Sequence, residues 1–91
     1  MKHKIVFTES YTRRAVRFLR KHPDMRRQYE KTLQLLELNP FHPSLRLHKL
    51  TGRFGDLHSV SINLAYRITI EFLIENAVMI PVDVGSHDEV Y

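Results

Sequence analysis

Ninety-one residues are enough for one domain with one modest core and too few for two domains of ordinary size, so residues 1–91 are expected to form a single domain. Hydrophobic residues make up 43% and charged residues 26%, which excludes a disordered tail or a collagen-like repeat, and the absence of cysteine excludes a disulfide framework, a thiol nucleophile and a Cys-based zinc site. The net charge of +4 hides an asymmetry: Met1 to Arg53 carries thirteen lysines and arginines against four carboxylates, and Phe54 to Tyr91 one against six. A basic front half predicts attraction to a polyanion such as RNA, or to an acidic protein partner.

In chain order, Met1-Lys2-His3-Lys4 leads into a β-prone run rather than a signal peptide, and His3 to Thr8, with Ile5, Val6 and Phe7, predicts a first strand. Ser10 is placed to cap a helix. Its inner stripe is Tyr11, Ala15, Phe18, Leu19 and His22, and Arg13, Arg14, Arg17, Arg20 and Lys21 make a basic outer face. His22-Pro23 breaks that pattern, and a second helix begins there, burying Met25, Tyr29, Thr32, Leu33 and Leu36, with Leu35 and Leu38 widening the stripe. It ends at Asn39-Pro40. The two helices are expected to form an antiparallel hairpin.

After Phe41-His42-Pro43 the spacing changes to alternation. Strands are predicted over Ser44 to Leu50, Asp56 to Ile62, Ala65 to Ile74 and Ala77 to Val84, with turns at Thr51-Gly52, Asn63-Leu64 and Glu75-Asn76. In the third, Tyr66, Ile68, Ile70 and Phe72 share one face and Arg67, Thr69 and Glu71 the other. One side is therefore expected to be core and the other wet. In the last strand Val78, Ile80, Val82 and Val84 form the apolar face that the helices should cover. The fold class expected is α+β: a short N-terminal strand, then a helical hairpin packed on an antiparallel meander of four further strands.

No apolar run approaches the roughly 20 residues of a membrane-spanning helix, so the expectation is a cytoplasmic protein with no membrane partner. The six histidines form no HxH, HxxxH or HExxH cluster, and there is neither a GxxxxGKS phosphate loop nor a GxSxG elbow. Zinc chemistry, nucleotide hydrolysis and serine chemistry are unsupported, and no metal is expected. His58, alternating with Val60 and Ile62, is expected on the apolar side; His3, His22 and His42 lie at element ends and carry no site-like spacing.

Three strings in this order carry a resemblance: LHKLTG at Leu47 to Gly52, YRITIEF at Tyr66 to Phe72, and VGSHDEVY at Val84 to Tyr91. Together with the element order they resemble the RelE/ParE toxin superfamily, in its RelE/YafQ branch, over nearly the whole chain. That resemblance implies the toxin of a type II toxin–antitoxin pair, held silent by a cognate antitoxin, which cuts messenger RNA in the decoding site of the 30S ribosomal subunit without a cofactor. Carried over by position, Arg67 matches an arginine at the scissile phosphate. His87 matches the YafQ histidine, Tyr91 the terminal RelE tyrosine, and His48 the histidine before the turn in YafQ. Arg46, Lys49, Arg53, Ser59 and Ser61 are the expected substrate contacts. The chain departs from its relatives at Ser59 and Ser61, where they carry lysine or histidine, and at Ala65, where YafQ has aspartate.

The chemistry these types can do is specific. Cutting RNA without a metal needs a base for the 2′-hydroxyl, a cation for the developing phosphorane charge, and an acid for the leaving 5′-oxygen. Histidine, with a free pKa of ~6.5, suits proton transfer. Arginine binds phosphate oxygens in a planar fork. Tyrosine, with a free pKa of ~10, acts as a base only beside cations and otherwise positions the ribose. Two other readings share the fold: a ParE-like inhibitor of DNA gyrase, and a degenerate member that retains only antitoxin binding.

Overall fold

The computed structural model describes residues 3–50, 57–73 and 78–86. Its element order is strand β1 (Lys4–Ile5), helix α1 (Glu9–Lys21), helix α2 (Arg26–Leu38), then strands β2 (His48–Lys49), β3 (Leu57–Ser61), β4 (Tyr66–Leu73) and β5 (Val78–Ser86). The five strands form one mixed sheet in the order β1-β5-β4-β3-β2. β2 to β5 are the expected antiparallel meander, and β1 adds in parallel beside the start of β5.

The first strand is shorter than His3 to Thr8: Lys4 and Ile5 pair with Val78 and Met79 of β5, and the chain leaves the sheet before α1 begins at Glu9. Thr8, not Ser10, caps that helix: Tyr11 N donates to Thr8 Oγ1 at 3.2 Å, satisfying an otherwise orphaned amide, and Glu9 sits in the first turn where the helix dipole favours a carboxylate. A 3-10 turn at Pro23–Met25 joins the helices, with proline at its first position, where its missing N–H costs nothing. Leu38 does not widen the buried stripe of α2; it ends the helix 65% exposed, while Tyr29, Thr32 and Leu36 are buried.

The predicted strand from Ser44 is replaced over most of its length. Pro43–Leu45 is a 3-10 turn in which His42 Nδ1 accepts from Ser44 N at 3.2 Å, and Arg46 follows in the left-handed region at φ 49°. Leu45 is thereby buried, and only His48–Lys49 pair as strand. Between β3 and β4 the expected tight connection is held by Asn63, whose Oδ1 accepts from Ala65 N and Tyr66 N at 2.8 and 2.9 Å.

Alternation holds along β4 and fails along β5. Thr69 pairs with Asp83 but Ile70 pairs with Pro81, so Val82 is an extra residue in a bulge. Proline cannot donate to a ladder, and a bulge is where a strand tolerates it. The consequence shifts the face partway along: Val84 is buried as expected, but before the bulge Met79 and Pro81 are buried instead of Val78, Ile80 and Val82, which are half-buried, Ile80 pairing with Glu71 on the other side. The core lies between the helices and the sheet, and includes Tyr11, Phe18, Tyr29, Leu36, Val60, Ile68, Ile70 and Phe72. His58 joins this side as expected, its ring 5.6 Å from that of Phe72. At its centre the Tyr11 and Tyr29 hydroxyls share a hydrogen bond of 2.7 Å. Burial first, and then Tyr29, pushes the Tyr11 phenol far above its ordinary range; burial also raises that of Tyr29. Both remain neutral phenols and neither serves as a base.

Candidate active site on the open face of the sheet

The face opposite the helices is built by cross-strand register. Ser61 pairs with Arg67 and Arg67 with Gly85; Ser59 pairs with Thr69 and Thr69 with Asp83; His48 pairs with Ser59. Paired residues point to the same side of a sheet, so His48, Ser59, Ser61, Arg67 and Thr69 share this face. It is not the wet surface that alternation predicts. Ser59 is 0% and Thr69 4% exposed, and Ser61 is also buried.

Three buried polar atoms here have no hydrogen-bond partner: Ser59 Oγ, Thr69 Oγ1 and Arg67 NH1. An unmade buried hydrogen bond costs about 1–3 kcal/mol, and an unpaired buried charge costs more. A guanidinium is a permanent cation. These donors are therefore held in place with no acceptor among the described residues. Gly85 beside Arg67 has no side chain to crowd that position.

His48 stands at the rim, exposed, with Nδ1 3.1 Å from the Arg46 carbonyl oxygen. A carbonyl only accepts, so in the neutral ring Nδ1 carries the hydrogen and Nε2 presents a lone pair. The left-handed turn at Arg46 aims that carbonyl. With strands about 4.8 Å apart and about 3.3 Å per residue, the Cα atoms of His48 and Arg67 lie roughly 12 Å apart, which side chains reaching inward can span with one phosphodiester between them.

The remaining expected contacts are not brought together in the same way. Ser61 gives its proton to the Asn63 carbonyl oxygen at 2.6 Å, which commits it to the turn. Lys49 pairs with His58 and so belongs to the helix side of the sheet edge; the Arg46 side chain is exposed. Arg53, His87 and Tyr91 lie outside the described residues.

Sequence reasoning passed over Thr69, which has the same parity as Arg67, a usable signal, but whose burial depends on tertiary packing. The basic face expected on α1 gains a place in the fold: Arg13, Arg17 and Lys21, at i, i+4 and i+8, line a hollow of about 450 Å³ against β5, and Arg14 reaches Asp83 at 3.2 Å. His22, which lacks any site-like spacing, lines the same hollow and contacts the Tyr66 hydroxyl through Nδ1 at 3.2 Å. Among the described residues no group of three or more His, Cys, Asp or Glu could hold a metal ion. No helix among them is long and apolar enough to cross a membrane.

No protein-family model matches this chain, and neither does any curated protein sequence. Solved structures do. YafQ from E. coli strain BL21(DE3) superposes with a TM-score of 0.79 at 12% identity, covering 99% of both chains. A YoeB/ParE toxin from Agrobacterium tumefaciens gives 0.72 at 16% identity over 92% of this chain and 98% of that one. A chain of the RelBE2 toxin–antitoxin complex of Mycobacterium tuberculosis gives 0.66 at 16% identity, covering 96% of this chain and 100% of that one. The fold is that of the RelE/ParE toxins, as the three sequence strings imply.

Proposed function

We propose that the protein is the toxin of a type II toxin–antitoxin pair and a metal-independent endoribonuclease acting on messenger RNA. The observation that carries this reading is the unpartnered, partly buried guanidinium of Arg67, on one sheet face with two unpartnered hydroxyls and a histidine whose Nε2 is free to accept. Likeness to YafQ and to a RelBE2 chain supports the toxin class and an antitoxin partner.

In the reaction, a 2′-hydroxyl loses its proton to a base and its oxygen attacks the adjacent phosphorus. The P–O5′ bond breaks, and the 5′-oxygen takes up a proton. The products are a 2′,3′-cyclic phosphate and a 5′-hydroxyl, with no water consumed. Arg67 neutralises the charge on the non-bridging oxygens, worth about 10²- to 10³-fold for a single well-placed donor. His48 Nε2 accepts or returns one proton. His87 and Tyr91, by the resemblance, supply the second proton carrier and the ribose contact. Arg13, Arg17 and Lys21 on α1 offer exposed cations to the ribosomal RNA backbone or to an acidic antitoxin segment, and that attraction weakens with salt.

Tightly controlled expression followed by 5′-end mapping of cellular transcripts tests the reading, with Arg67→Ala and His87→Ala alongside. New cuts within translated codons that vanish in both variants are expected. Growth arrest with intact transcripts and inhibited gyrase would replace this reading with the gyrase-inhibitor one; a folded protein that arrests nothing would leave an antitoxin-binding role alone.

A further inference from the structure

Beside Arg67 the open face deepens into a hollow of about 600 Å³, within the range of small-ligand sites. Its apolar walls come from Leu50, Leu57, Ile80 and Val82; the start of α1 closes one side with Thr8, Ser10 and Arg14, and Thr69 and Glu71 are polar neighbours on one face of β4. Ile80 and Val82 reach this side because of the β5 bulge. At the rim, Asp83 is taken by Arg14 at 3.2 Å. Glu71 is half-buried, and among the described residues no ion pair or hydrogen bond engages its carboxylate. Thr69 Oγ1 is buried and unpartnered.

An unpaired carboxylate repels phosphate, so the ligand of this hollow is a flat, largely neutral group that brings N–H donors. We infer that the hollow is a nucleobase-reading site selective for guanine. Leu57 and Ile80, which flank Glu71 in register, cover the ring faces. Glu71 accepts from guanine N1–H and the 2-amino group, two adjacent donors that match the two oxygens of one carboxylate. Thr69 lies two residues along the same face, about 6.6 Å away, and donates its hydroxyl hydrogen to O6. Uracil offers one N–H between two carbonyls that face the carboxylate; adenine and cytosine offer one amine beside a lone-pair nitrogen. Arg67 stands two residues beyond Thr69, so a phosphate held there places an adjoining base over the hollow. The inference rests on the ribonuclease reading and gives it a base preference, by the edge recognition and apolar stacking that single-stranded RNA invites.

The test is fluorescence anisotropy of the full chain with five-nucleotide 2′-O-methyl RNAs, which cannot be cut, identical except for a central guanosine, inosine, adenosine or uridine. Guanosine is expected to bind roughly tenfold tighter than inosine, which lacks only the 2-amino group, since one hydrogen bond to a charged acceptor is at stake. Glu71→Gln, nearly isosteric, should abolish that preference and keep the salt-sensitive part of binding. Equal affinity for guanosine and inosine, or an unchanged preference in Glu71→Gln, overturns the inference; the wild-type comparison needs no variant to fold. Unmethylated messenger RNA presented on ribosomes, run in parallel, separates the two claims. Cutting without base preference sinks the guanine site alone. Guanosine preference with no cutting of ribosome-bound message keeps the site and sinks the catalytic reading, and no binding to any oligonucleotide sinks the guanine site.

Discussion

The same strands present two buried faces with opposite character. On the helix side, Val60, Ile68, Ile70 and Phe72 are apolar and close-packed, so burial itself stabilises them. On the open side, their immediate neighbours Ser59, Arg67 and Thr69 are buried in whole or part and carry polar atoms with no partner among the described residues. Alternate residues one peptide apart thus work for and against folding. A face that costs stability and is nonetheless built points to a ligand that completes it.

The sharpest way to break that contrast is to truncate neighbours. Arg67→Ala is expected to lower cleavage by about 10²- to 10³-fold with the thermal midpoint unchanged or raised, read by transcript-end mapping and calorimetry. Ile68→Ala, one residue along, should do the reverse through the cavity it opens, costing about 2–5 kcal/mol in denaturant unfolding with the site chemistry intact in the folded fraction. If both variants lose stability alike, the two faces are not different in kind.

The buried tyrosine pair gives the next effect. Tyr29→Phe leaves the Tyr11 hydroxyl buried without its partner and should cost about 1–3 kcal/mol. The pH dependence follows from the raised Tyr11 value: the unfolded phenol ionises near ~10 and the folded one resists, so this contribution is full below pH ~10 and is lost as pH rises beyond it. Denaturant midpoints at pH 8 and pH 10.5 should diverge less in Tyr11→Phe than in the wild type.

The smallest effect is the most diagnostic. Thr69→Val removes an unpaired buried hydroxyl at nearly constant volume, and should raise stability by about 1 kcal/mol while weakening cleavage roughly tenfold. A structural hydroxyl would give a lower melting midpoint instead.

Much of this was legible in the residues. The period along Tyr66 to Phe72 put Arg67, Thr69 and Glu71 on one side before any coordinates, because alternation is a local property of a strand. The helical stripe of Tyr11, Ala15 and Phe18 was equally local. Residues 43–46 misled because Pro43 and the His42 side chain stabilise a 3-10 turn where the apolar spacing alone reads as strand. On the β5 face Val84 is buried as its spacing predicts, but Val78, Ile80 and Val82 are not, for the related reason that Pro81 carries a bulge, which periodicity cannot register.

By itself, then, the chain's composition and spacing determined the order of elements, the absence of thiol chemistry, the basic α1 surface and the polar side of β4. Tertiary structure decided what those polar groups experience: which hydroxyls lose water without gaining a partner, which nitrogen of His48 faces a carbonyl, and that Ile80 and Val82 wall a hollow instead of the core. The division is physical. Periodicity follows from backbone geometry within a few residues, whereas burial, register and pairing depend on segments far apart in sequence meeting in space.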